Sequence, residues 1–197
     1  ITISRQYGSG GSQVAKILAE RMGVWCYDRD ILTIAAERIG NEELTEDTIN
    51  DLNYKRNDVA SAGITGVMGM GNIPIYNQMF LEQAKIIRKL ANYGSAVFLG
   101  RCADYILKYI KNCTSVYLYA DREFRKNRVK EIYGSNAEIM DKEEKNRADY
   151  YNYYTGNRWG DINNYDFAIN TSKVSFEEAA DLIYRFAKDK QKNLKDR

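Results

Sequence analysis

The segment ITISRQYGSGGSQVAK, residues 1–16, decides the fold. Its β-branched start reads as a strand, Gly8 to Ser12 as a glycine-rich turn, and Val14, Ile17, Leu18 and Met22 as the apolar stripe of a helix stopped at Gly23. Glycines let a backbone take positive φ and turn several N–H groups toward one point, and a helix N-terminus adds partial positive charge. The product is a cradle for phosphate. Aligned to GxxxxGK[ST], Gly10 takes the second glycine and Ser12 the hydroxyl that binds a metal, but Arg5 stands at the first glycine and Gly11 at the lysine. A tight strand-to-helix connection with no ligand is the simpler alternative. If the cradle is real, another cation must replace the lysine, and Arg5, Lys16 and the downstream arginines are the candidates.

Outward from this segment, short apolar runs alternate with helical patterns. Trp25–Asp28, Ser95–Gly100, Thr114–Ala120 and Tyr165–Asn170 read as further strands. Between them lie helices through Ile31–Ile39, from Pro74 to just before Gly94, through Ala103–Ile110, and from Asp121 to Tyr133. Ser135 with Glu138 and Ser175 with Glu178 each match a capping box, and the Lys188–Arg197 end reads as a fraying helix terminus. This alternation predicts an α/β fold, a parallel sheet with helices on both faces. The length of 197 residues suits one domain, large enough to bury roughly 70% of its unfolded surface.

Composition removes whole chemistries. There is no histidine, so Ser-His-Asp and Cys-His nucleophiles and imidazole acid–base catalysis are excluded. A net charge of +2, from 29 Lys+Arg against 27 Asp+Glu, gives no support to a nucleic acid polymer as partner. Cys26, Cys102 and Cys113 form no CxxC pair and fit a reducing compartment. No apolar run approaches a bilayer-spanning length, so the expectation is a soluble cytoplasmic protein without membrane association. The chain opens directly on its strand without an initiator Met, so a few preceding residues are expected.

Four segments, ISRQYGSGG (3–11), CYDRDIL (26–32), FLGRCADYIL (98–107) and YDFAINTS (165–172), together resemble the cytidylate kinase-like family of P-loop nucleoside monophosphate kinases, whose members also lack the usual lysine motif. The resemblance implies a three-layer P-loop NTPase-like fold with a five-stranded parallel sheet. It divides one domain, 1–197, into a core (about 1–28, 94–121 and 160–197), a monophosphate-binding insertion (about 29–93) and a lid (about 122–159). It also implies ATP as co-substrate with Mg2+, and CMP, dCMP or a related acceptor. The expected assembly is a monomer or weak homodimer.

In-line phosphoryl transfer needs charge neutralisation, a metal and positioning rather than histidine. Gly8, Ser9, Gly10, Gly11 and Ser12 are the expected ATP-binding residues, with Ser12 also on the metal. Arg101 sits where a strand ends and can clamp a phosphate through two parallel hydrogen bonds; by resemblance it holds the acceptor, and a surface arginine capping the sheet edge is its bland alternative. The resemblance brings Asp28 and Asp104 to the acceptor as well, while Asp28, Arg29 and Asp30 read equally well as a helix N-terminus. In the lid, Arg125, Arg128 and Arg147 are selected with Arg5 as catalytic cations. Arg122, Lys126 and the nearby acids read as solvated ion pairs. Tyr150, Tyr151, Tyr153 and Tyr154 read as core packing before base stacking, and Cys102 as a buried filler. The stretch Gly63–Gly71 follows no strand and reads as a flexible connection. A nucleotide-binding module without turnover, or a kinase for another small acceptor, remains open beside the monophosphate kinase.

Overall fold

Strand-length apolar runs separated by helices leave the sheet only one way to bury both of its faces, with a helical layer on each side. The computed structural model describes residues 1–40, 75–134 and 136–196 and has this arrangement. Strands β1 (Thr2–Arg5), β2 (Trp25–Tyr27), β3 (Ala96–Leu99), β4 (Ser115–Tyr119) and β5 (Phe167–Asn170) form one five-stranded parallel sheet in the order β2-β3-β1-β4-β5. Thr2 is level with Phe98 on one side of β1 and with Ser115 on the other.

The helices are α1 (Gly11–Met22), α2 (Asp30–Ile39), α3 (Ile75–Tyr93), the single turn α4 (Ala103–Ile106), α5 (Arg122–Tyr133), α6 (Ala137–Thr155) and α7 (Phe176–Lys195). Side chains alternate across the strands as the pleat requires. Ile3, Val97, Leu99, Val116 and Leu118 meet Val14 and Leu18 of α1 and Ile183 of α7 on one face. Phe98 meets Leu32, Met79, Ile87, Ile106 and Tyr151 on the other. Because β1 is central and parallel to its neighbours, the turns after β1, β2, β3 and β4 all open at one edge of the sheet.

Several local expectations are corrected. Helix α6 is capped by Asn136, whose side chain accepts from the Ile139 amide at 3.0 Å; Ser135 lies outside the described residues. The capping box of Ser175 and Glu178 forms as expected. The helix after Arg101 stops at Ile106, because the chain continues in tight turns in which Lys108 and Ile110 donate to Tyr105 and Leu107. The lysine-rich end is helical to Lys195, and Lys190 is clamped by Asp166 (2.8 Å) and the Cys113 carbonyl (2.7 Å). Pro74 and Gly63–Gly71 lie outside the described residues, although α3 begins at Ile75 and ends before Gly94. Among the described residues no helix is long and apolar enough to cross a membrane.

Candidate active site

The turn after β1 is held in shape from three sides. Ser9 donates to the Gln6 carbonyl at 2.8 Å, and Gln6 accepts the Ala120 amide at 3.1 Å. Thr171, at the end of β5, donates to the Ser9 carbonyl at 2.6 Å. Gly8 and Gly10 take φ of +81° and +84°. A Cβ on Gly10 would also lie 2.4 Å from the Phe176 ring. Among the described residues, the N–H groups of Gly8, Gly10, Gly11 and Ser12 have no hydrogen-bond partner, the condition for a cradle that receives an anion.

The missing lysine has a steric explanation. A Cβ on Gly11 would come within 2.6 Å of Arg5 Cγ and 2.7 Å of Arg5 Cβ. The stem of Arg5 therefore fills the space that a side chain at position 11 would need. The two departures from the common loop pattern are one exchange: Arg5 for the first glycine, Gly11 for the lysine. Lys16, the other local candidate, is exposed on α1.

Arg5, Tyr7, Gly8, Gly10, Gly11, Ser12, Arg128 and Arg147 line one hollow of about 30 Å³. Arg128 stacks over the Phe176 ring at 4.7 Å and reaches the Gln13 amide oxygen at 3.1 Å when that amide is oriented by its neighbours. Arg147 donates to the Arg5 carbonyl at 3.0 Å and lies 5.0 Å from the Tyr7 ring centre. Two more residues from α6 and the loop after it close the same side. Glu144 accepts the Tyr7 amide at 2.6 Å and the Trp159 indole N–H at 2.8 Å. A larger cavity, about 490 Å³, lies at the other edge of the sheet beside Ile1 and Ala96. Ligands of open parallel sheets gather at the carboxyl ends of strands, where the chemistry-bearing residues of this chain also collect.

Other expected site residues are placed differently. Arg125 does not line the hollow. It is buried, and its guanidinium donates to the carbonyls of Ala120 (3.3 Å) and Tyr7 (3.4 Å), so it supports the loop from behind. Asp28 pairs with Arg5 at 3.7 Å across the end of β3. Arg101 is 2% exposed and follows Gly100 at the end of β3; Arg101 and Cys102 take φ of +59° and +54°. Two successive non-glycine residues in the left-handed region cost about 1–2 kcal/mol each.

Asp104 is buried among hydroxyl groups. Its carboxylate accepts Tyr151 at 2.6 Å and Ser4 at 3.3 Å. Burial raises its pKa above the ordinary carboxylate value, and the same burial with the nearby Asp104 charge drives the Tyr151 hydroxyl far above its own. Cys102 is buried and its thiol pushed well up, which leaves it an inert filler. Tyr150 and Tyr151 of α6 are buried and Tyr154 stacks on Phe80 at 4.1 Å, as expected, whereas Tyr153 is 52% exposed and does not belong to the core, because its position on the helix turns it toward solvent. Arg122 and Lys126 are ion pairs with Asp141 (2.6 Å) and Glu123 (3.0 Å). The sequence reading missed Tyr7, Glu144, Thr171 and Phe176. Tyr7 and Thr171 lie inside quoted motif segments, whereas Glu144 and Phe176 carry no local signal.

The model of the cytidylate kinase-like family matches residues 1–173. Among solved structures, an uncharacterized protein from Eubacterium ventriosum is similar at 28% identity and a TM-score of 0.69, over 95% of this chain and 96% of that one. Shikimate kinase from Acinetobacter baumannii, solved in complex with shikimate, shares the fold at 14% identity and a TM-score of 0.50, over 94% and 91% of the two chains. No curated protein matches the chain in sequence.

Proposed function

The chain belongs to the cytidylate kinase-like family, and from that premise we propose that it transfers the γ-phosphate of ATP to CMP, dCMP or a related monophosphate. The observation that carries this reading is the exchange of Arg5 and Gly11. It explains the absent lysine without loss of a cation, since Arg5 lines the same hollow as the loop glycines while its stem fills the space beside Gly11. Arg128 and Arg147 supply further positive charge for the transferring phosphoryl group, and Arg101 with Asp28 serves the acceptor.

Residues about 122–159 act as a lid and about 29–93 as the monophosphate region, around a core of about 1–28, 94–121 and 160–197. The hollow is shallow and open to solvent on one side, with Arg128 of α5 and Arg147 of α6 along its wall, so a phosphate chain can enter beside these helices and be covered by their closing over it. Magnesium suits the donor set: it keeps several waters and is completed by phosphate oxygens, so the half-buried Ser12 hydroxyl suffices as a protein contact. When bound with ATP it would neutralise phosphate charge.

An ADP-release assay over CMP, dCMP, the other nucleoside monophosphates and non-nucleotide hydroxyl acceptors tests the reading. Turnover greatest with CMP or dCMP is the expected result. Preference for a non-nucleotide would reassign the acceptor, and measurable ATP binding with no turnover on any of them would make the chain a nucleotide-binding module.

A further inference from the structure

Helix α6 is tied to the sheet by hydroxyl groups around one buried carboxylate. Asp104 Oδ2 accepts Tyr151 at 2.6 Å and Oδ1 accepts Ser4 at 3.3 Å. All three residues are at most 5% exposed. Burying a carboxylate is costly even when it is hydrogen-bonded, and apolar side chains of the same volume would pack this space at lower cost. The placement of the three residues gives a reason for that cost. Ser4 directly precedes Arg5 on β1, Asp104 lies three residues after Arg101, and Tyr151 stands one helical turn beyond Arg147. Each member is thus rigidly connected to a different arginine of the proposed site. Arg5 and Arg147 already meet, since Arg147 donates to the Arg5 carbonyl at 3.0 Å, and like charges stay together only if their backbones are held.

We propose that Ser4, Asp104 and Tyr151 form a positioning triad that holds Arg5, Arg101 and Arg147 in one constellation, with Tyr151 setting the docked position of the lid. The triad rests on the kinase reading for its purpose. It touches no reactant and acts through the arginines. Trp159 reports on it directly, because its ring lies 5.2 Å from that of Tyr151 and its indole N–H donates to Glu144. The chain has two tryptophans, and Trp25 is 76% exposed on β2, so Trp25→Phe isolates the Trp159 signal.

The experiment is Tyr151→Phe in the full chain, read three ways. Trp159 emission should shift to the red with roughly doubled acrylamide quenching, as expected for a loosened contact. At a temperature where both proteins are folded, kcat should fall about tenfold while ATP affinity changes less than about threefold, the cost of one charge-assisted hydrogen bond expressed through orientation. In an Arg147→Ala background the same substitution should cost less than about twofold in kcat, because coupled residues are not additive. Unchanged Trp159 emission, a lower melting temperature with unchanged kcat, or additive losses with Arg147→Ala would each overturn the triad. Asp104→Asn, which keeps the shape, carries the same three measurements if Tyr151→Phe does not fold. If the wild-type protein has no turnover, the kinase reading falls, and the Trp159 measurement still decides whether Tyr151 docks the lid.

Discussion

Two turns at the same edge of the sheet, after the neighbouring strands β1 and β3, handle positive φ in opposite ways. After β1 the strained positions are Gly8 and Gly10, and no side chain stands between the backbone amides and the hollow there. After β3, Gly100 is followed by Arg101 and Cys102, both left-handed, and the chain carries that strain where the buried Arg101 side chain leaves the backbone. The first turn offers backbone N–H groups as the binding surface and therefore needs glycine. The second offers a side chain, and in the proposed reading Arg101→Gly would remove the acceptor clamp along with the strain. Arg5 links the two. It leans over Gly11 on one side and reaches Asp28 across the end of β3 on the other.

The largest effect is expected from reversing that exchange. Arg5→Gly alone should lower kcat roughly 10²- to 10³-fold, the usual cost of a lost charge-stabilising donor, and Gly11→Lys alone should lower it similarly by displacing the Arg5 stem. Arg5→Gly combined with Gly11→Lys, which restores the common loop pattern, should recover most of one of those losses in a steady-state assay. A double variant no better than the worse single one would show that positions 5 and 11 do not trade roles.

Next in size is Arg101→Ala, expected to raise the acceptor KM by roughly 10- to 100-fold, the range for hydrogen bonds to a charged group, with ATP affinity nearly unchanged. An unchanged acceptor KM would remove Arg101 from the site. A smaller effect separates strain from packing at the same turn. Cys102→Gly and Cys102→Ala lose the same buried sulfur, but only glycine relaxes φ of +54°, so the glycine variant should be more stable by about 1 kcal/mol, read as a higher urea midpoint. In an ordinary helix the order would be the reverse.

The smallest effect concerns the turn of this edge after β4, where Asp121 is held by an ion pair. Lys173 (2.7 Å), then Asn170 and Ser172, hold the Asp121 pKa at about 2, below its ordinary 3.8. Because the folded value is depressed, this contribution to stability is complete above the ordinary value and is lost as pH falls through about 2. Asp121→Asn should flatten the slope of stability against pH in that window and leave neutral-pH melting almost unmoved, since the group is exposed.

Much of this edge is legible in sequence because its parts are local. Glycine spacing, a β-branched run and an amphipathic stripe lie within Ile1–Met22, and the capping box of α7 needs only Ser175 and Glu178. What escaped are pairings between residues distant in the chain. No pattern around Arg125 says that its guanidinium serves Ala120 and Tyr7 rather than a phosphate, and nothing near Asp104 announces Tyr151, 47 residues away. Glu144 looks like any solvated acid of a charged helix until α6 is packed against the loop and its carboxylate meets the Tyr7 amide.

The sequence by itself determined the alternation of strands and helices, the glycine turn, and the exclusion of histidine chemistry, because hydrophobic period, backbone permissiveness and residue chemistry act over a few neighbours. The partners of each charge were decided only by the tertiary structure. A guanidinium or carboxylate has the same local sequence signature whether it faces phosphate, a carbonyl or a buried hydroxyl. Packing brought Arg5 over Gly11 and turned a missing lysine into an exchange between two positions.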